Sequence, residues 1–331
     1  MRRLSPGMTL LLLAPIFGEL VSGHQTLLQF LNPLSFILSA LPYGFGAIIC
    51  RELVVRWGKG WVSLVLLGIA YGIYEEFIVA RSVWDPDWAE LGALRDYSYW
   101  GGITWTYAAV LLHFHLTVSI IASVVVAELL YPEQRQVSWV TNRQLMGCFI
   151  GLGLWLPVLW LINPFVPSPG ALAFSWLAIA GLALLAWRLP AQPLAARSGT
   201  AARPVRYGVL AGVNTTAVFV TVFILPEVAV SRLPPWPVSF AFVIALDLLA
   251  LGWALRWSGN GFAWDDRHKL ALVAGILSFY IGCDVLQDLE EFGGLVFVAA
   301  GTVWGLRALW RRTQSRYQAG GLRPPDRILI S

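Results

Sequence analysis

Apolar runs of roughly 20 residues, the length needed to cross a bilayer as a helix, recur along this chain, and each ends at a polar or Pro/Gly-containing break. The pattern predicts an all-α, polytopic transmembrane helix bundle of about ten spans, over 7–22, 33–57, 61–80, 103–131, 146–165, 171–187, 207–225, 236–256, 270–287 and 292–311. The breaks then sort the charges. With the N-terminus inside, all but three of the 23 basic residues fall on the inner side; the exceptions are Arg81, Arg95 and Arg232. That asymmetry is the positive-inside rule, and it predicts a multi-pass protein of the plasma (inner) membrane with both termini in the cytoplasm. Tryptophans at the predicted boundaries, such as Trp57, Trp61 and Trp187 inside and Trp84, Trp100 and Trp236 outside, form an aromatic belt.

Two polar excursions organise the chain. The outer loop 81–102 carries Asp85, Asp87, Glu90 and Asp96 among aromatics and is a candidate lid. The inner segment 190–206 is rich in Pro, Ala and Arg and reads as a cytoplasmic linker. It divides a six-span bundle (1–189) from a four-span bundle (207–311), and a basic cytoplasmic tail (312–331) follows. Arg2 and Arg3 ahead of an apolar run from Met8 to Phe17 loosely resemble a signal peptide, but Glu19 inside the run argues against cleavage.

Composition narrows the class further. Of 331 residues 57% are apolar and 13% charged, against roughly 25% charged in a soluble domain, which excludes a soluble globular enzyme and a disordered chain. The pI near 9.1 reports topology and requires no nucleic-acid partner; the lipid bilayer is the partner the composition demands. Cys50, Cys148 and Cys283 form no CxxC pair, so neither a disulfide framework nor a zinc knuckle is expected.

Ionisable groups inside a bilayer cost several kcal/mol unless paired, so each is a functional candidate. Glu19, Glu75, Glu76 and Asp284 lie near the outer boundary, while His113 or His115 and Asp247 lie nearer the midplane. Glu75 and Glu76 are about 100° apart on a helix. Two close carboxylates in low dielectric cannot both ionise cheaply, which leaves a proton acceptor beside a charge stabiliser. Tyr71 shares the Glu75 face and is placed to hydrogen-bond it, and Arg81 is the nearest cation. His113 and His115, two residues apart, project to nearly opposite sides, so at most one joins the glutamates. Asp284, Asp288 and Glu291 form an acidic stripe, and Asp247 is the only charge in 238–255. Glu52 and Glu128 read as ordinary boundary residues, as does His24. No Walker loop, GxSxG, HExxH or GxGxxG occurs.

The run Tyr74-Glu75-Glu76-Phe77, followed by a helix bearing His113 and His115, resembles the CAAX-protease and bacteriocin-processing family of intramembrane proteases. The resemblance covers 61–131. It implies a water-activating or metal-binding site made by Glu75, Glu76 and a histidine, His113 or His115, that cuts a membrane-embedded peptide. Zinc is the candidate metal, with Glu75, Glu76 and His113 its candidate ligands. In this chain Arg81 follows Glu76 by five residues, no Phe stands four before either histidine, and no later span carries a histidine. Two other functions fit the same charges. One is a proton- or ion-coupled transporter for a small molecule, with Glu75, Glu76, Asp284 and Asp247 as a relay; the other is a non-catalytic scaffold.

Overall fold

The computed structural model describes residues 4–198 and 200–319; Arg2, Arg3, Arg323 and Arg327 of the basic count lie outside them. The helices are α1 (Pro6–Leu20), α2 (Leu27–Leu31), α3 (Pro33–Arg56), α4 (Trp61–Val79), α5 (Leu94–Ser98), α6 (Trp105–Leu130), α7 (Asn142–Ile162), α8 (Pro169–Arg188), α9 (Pro204–Arg232), α10 (Trp236–Trp257), α11 (Asp266–Glu290) and α12 (Leu295–Ala319). Among the described residues eight helices, α3, α4 and α6 to α11, are long and apolar enough to cross a membrane, fewer than the ten expected. At 1.5 Å per residue α1 is roughly 22 Å long, short of a bilayer core of about 30 Å. In α12 the second half is crowded by Arg307, Arg311, Arg312 and Arg316.

Helix starts follow from capping chemistry. Ser5 Oγ accepts from Met8 N ahead of Pro6, Asn32 Oδ1 accepts from Leu34 N ahead of Pro33, and Thr141 with Gln144 forms a capping box, each satisfying amides that a first turn leaves free. The Thr141 box sets α7 four residues earlier than the apolar run alone suggests. A two-stranded hairpin, β1 (Tyr99–Trp100) and β2 (Ile103–Thr104), closes loop 81–102 with Tyr99 opposite Thr104. Its turn, Gly101-Gly102, has φ of 63° and 86°, a geometry that glycine adopts without cost.

The helices pack through three apolar clusters, two of which join both sides of segment 190–206; one combines Phe114 and Val125 of α6 with Val273 and Leu277 of α11. Helices α9 and α11 approach backbone to backbone. A Cβ on Gly275 would lie 2.1 Å from the Gly208 carbonyl oxygen, so the two backbones touch, as small residues permit in membranes.

At the inner end the boundary glutamates turn out to be buried. Arg51 and Glu52, both 1% exposed, pair at 2.7 Å. The Arg51 guanidinium also donates to the carbonyls of Gln134, Arg135 and Val137, and Glu52 accepts from Trp139 N and Arg56 Nε. Glu128 lies 3.8 Å from Arg51, and Asp266 pairs with Arg135 and Lys269. This charge cluster gathers α3, α6, α11 and the 131–141 loop.

Candidate functional site

Four helical segments wind locally with π geometry: Ile16–Leu20, Tyr74–Val79, His115–Ala122 and Val220–Ile224. The first three carry Glu19, then Glu75 and Glu76, then His115 and Ser119. A π turn inserts a residue into the ladder and re-aims the side chains beyond it, and such turns concentrate at functional sites. Here the three converge on one cavity of about 260 Å³, at the end of the bundle that carries the 81–102 loop, the end expected outside, lined by Glu19, His24, Glu75, Glu76, Glu90 and His115.

Glycines open the space for the aromatic walls. A Cβ on Gly18 would lie 2.4 Å from the Tyr43 ring, and one on Gly46 would lie 2.0 Å from the Tyr71 ring. Tyr43 stacks on the His115 imidazole at 5.9 Å, and Tyr71 meets it edge-on at 5.6 Å. The ring plane of His115 is therefore fixed before any hydrogen bond is counted.

The hydrogen bonds then engage both of its ring nitrogens. Ser82 donates its hydroxyl to Glu76 Oε2. His115 Nε2 lies 2.6 Å from Glu76 Oε1, and His115 Nδ1 lies 3.2 Å from Ser119 Oγ. In a neutral ring the three contacts are satisfied when His115 Nε2–H donates to the Glu76 carboxylate and the Ser119 hydroxyl donates to Nδ1. In that state His115 has no free lone pair and Glu76 is held from both sides. Glu75 differs. It is 7% exposed, and its Oε1 has no hydrogen-bond partner, nor has the nearby Tyr71 hydroxyl. Tyr71 stands beside Glu75, as expected, but outside hydrogen-bond geometry, and Glu75 is the carboxyl with a lone pair to offer.

Two further groups complete the cavity. Ser22 donates its only hydroxyl proton to the Gly18 carbonyl at 2.7 Å, so His24 Nδ1, 2.7 Å from Ser22 Oγ, must be the donor in that contact. In the neutral ring His24 Nε2 then carries a lone pair. Across the cavity the Trp155 indole N–H is buried without a partner. The outer loop roofs the space: Trp88 Nε1–H donates to the Tyr107 hydroxyl at 3.1 Å, and that hydroxyl donates to Glu90 at 3.0 Å. The loop is strapped to the α9–α10 end of the bundle through Ala93 N to Glu227 Oε1, 2.7 Å, and Tyr97 to the Pro234 carbonyl, 2.8 Å.

Several residues singled out from sequence lie elsewhere. His113, on the opposite side of α6 from His115, holds Asp247 Oδ1 at 2.8 Å, and Asn214 donates to the same oxygen at 2.7 Å. His113 thus does not meet Glu75 or Glu76. Among the described residues no three His, Cys, Asp or Glu side chains gather closely enough to hold a metal ion, so the proposed Glu75, Glu76 and His113 ligand set does not form. Arg81 turns away from the glutamates. Its backbone takes φ +62°, a costly conformation for a residue with a Cβ. Its guanidinium donates to the carbonyls of Leu159, Asn163 and Phe165, closing the C-terminal end of α7 where carbonyls lack partners. Asp288 accepts from Gly293 N and Val296 N and caps α12. Asp284 is fully buried outside the cavity, and neither of its carboxyl oxygens has a hydrogen-bond partner. The sequence pattern missed His24, Tyr43, Trp155 and Glu90; polar His24 and Gln25 just beyond Glu19, and Gly18 and Gly46 beside aromatic positions, were the available signals.

The crossing helices and the polar cavity between them define a multi-pass α-helical integral membrane protein. Residues 8–255 match an uncharacterized membrane protein family, and the chain belongs to that family. No curated protein and no solved structure matches it.

Proposed function

We propose that this protein is a glutamate-dependent intramembrane hydrolase whose site opens to the outer side of the plasma membrane. The observation that carries the proposal is the contrast inside the cavity: Glu76 and His115 hold each other, while the neighbouring Glu75 oxygen is buried and free. A buried carboxylate beside a fixed partner suits general-base work. In this reading Glu75 takes a proton as a water oxygen attacks the carbonyl carbon of a membrane-embedded peptide or small molecule. The Trp155 N–H donates to the developing oxyanion, and Glu75 returns the proton to the leaving group as the bond breaks. The Glu–His pairing supports the likeness to the CAAX-protease family, with His115 rather than His113 in the histidine role. The relay reading has less support, because Asp247 is tied to His113 and Asn214, and Asp284 lies outside the cavity.

The test compares new peptide termini in membranes containing the wild-type chain or Glu75→Gln, by mass spectrometry. A set of termini should vanish with the variant while its amount in the membrane is unchanged. An identical pattern from both chains overturns the proposal.

A further inference from the structure

The sign of the cavity is more informative than its size. Among the described residues four carboxyl groups line it, Glu19, Glu75, Glu76 and Glu90, against two histidines and no Lys or Arg. In a site of low dielectric such a surplus draws positive charge. The carboxyls are not gathered as metal ligands, so a compact ion finds no cage, whereas a larger, diffuse cation meets several of them at once. The remaining walls suit that cation too. Tyr43, Trp88, Tyr107, Phe114 and Trp155 line the same space, and aromatic faces attract organic ammonium groups, as in the cages that bind choline and methylated lysine. The independent sign of a ligand is Glu75 Oε1: 7% exposed, without a hydrogen-bond partner, on a residue that lines the cavity. His24 and Glu90, which also line it, are exposed, and they mark its entrance.

We infer that the cavity binds an organic ammonium group, with Glu75 as its buried counter-charge and Trp88 and Tyr107 as its aromatic roof. The group belongs to a lipid headgroup or to a free organic cation. The inference deepens the hydrolase reading by giving the substrate a charge. Its test reads binding alone, so a chain that binds the cation but cleaves nothing refutes only the hydrolase reading.

The experiment titrates the full chain in nanodiscs with choline, and separately with the uncharged isostere that has carbon in place of the quaternary nitrogen, by calorimetry. Choline should bind at least about tenfold more tightly than the isostere, and Glu75→Gln and Trp88→Leu should each weaken choline by a similar factor. Nanodiscs of phosphatidylcholine rather than phosphatidylglycerol separate the two sources. Competition by the phosphatidylcholine bilayer identifies a headgroup; unchanged choline binding identifies a free cation. Equal binding of choline and isostere, absence of choline binding, or choline binding untouched by both variants overturns the inference. Trp88 lies in the outer loop, so its variant remains readable if Glu75→Gln fails to fold, and the isostere comparison needs no variant.

Discussion

Both ends of the bundle bury charge, and they do so in opposite ways. At the inner end Arg51, Arg56, Arg135 and Lys269 are interleaved with Glu52, Glu128 and Asp266, and the Arg51 terminal nitrogens also donate to loop carbonyls. In the outer cavity four carboxyls face no Lys or Arg. Burial of charge therefore does not by itself distinguish function from architecture in a membrane; balance does. A balanced cluster fixes the helices to one another, and an unbalanced one waits for a proton or a ligand. Removing a charge should accordingly be costly at the inner end and cheap at the free position of the outer end.

The largest effect is expected from Arg51→Met. Breaking a buried pair costs about 3–5 kcal/mol; here Glu52, at 1% exposure, loses one of its two cationic partners and keeps only Arg56, while the loop carbonyls of Gln134, Arg135 and Val137 lose their donor. Thermal unfolding in detergent should show the lowest midpoint of any substitution considered, with little folded protein recovered from membranes. A midpoint equal to that of wild type would dissolve the contrast between the two ends. His115→Leu comes next. It strips a donor from Glu76 and an acceptor from Ser119, and leaving such groups unsatisfied costs about 1–3 kcal/mol. The same measurement should place it between Arg51→Met and wild type.

The contrast was only half visible in the amino-acid order. Most of the spans, and the place of Glu75 and Glu76 near one end of theirs, follow from hydropathy, because lipid imposes that pattern locally. The opposite fates of His113 and His115 follow from helical geometry as well, since two residues apart on a helix means two different neighbours. What the pattern could not supply was the π winding at Ile16–Leu20, Tyr74–Val79 and His115–Ala122. Face angles drawn at 3.6 residues per turn fail across such turns, so the meeting of Glu76 with His115 had no signature in spacing. The burial of Arg51 and Glu52 has no signature in spacing either. The 131–141 loop that buries them is 80 and more residues away in sequence and nothing in their own helix announces it.

A smaller effect is expected at Asp265, which caps α11 at the inner end through Arg267 N and pairs with Arg267 and His268. Burial alone would raise its carboxyl, but hydrogen bonds from His268 and Arg267 outweigh that and hold it well below the usual carboxylate range. A group depressed in the folded state contributes stability above its unfolded value, and that contribution is lost as pH falls through the folded value. Asp265→Ala should therefore cost about 1 kcal/mol near neutral pH, as loss of an N-cap does. The gap from wild type should narrow only as the pH drops below about 4. A gap that stays constant down to strongly acidic pH would mean that the residue acts through packing and not through charge.

The smallest effect on stability is expected where the proposed effect on activity is greatest. Glu75 Oε1 accepts no hydrogen bond, its neighbours Glu19 and Glu76 are themselves acidic, and no Lys or Arg lines its cavity. Replacing it with glutamine keeps the shape, removes a like-charge conflict and strands no partner. Glu75→Gln should thus unfold within about 0.5 kcal/mol of wild type, in the range of substitutions that disturb no special feature, or slightly later than it. If instead it unfolds as early as Arg51→Met, then Glu75 is held by partners in the way Glu52 is, and the outer carboxyls are as much a part of the scaffold as the inner ones.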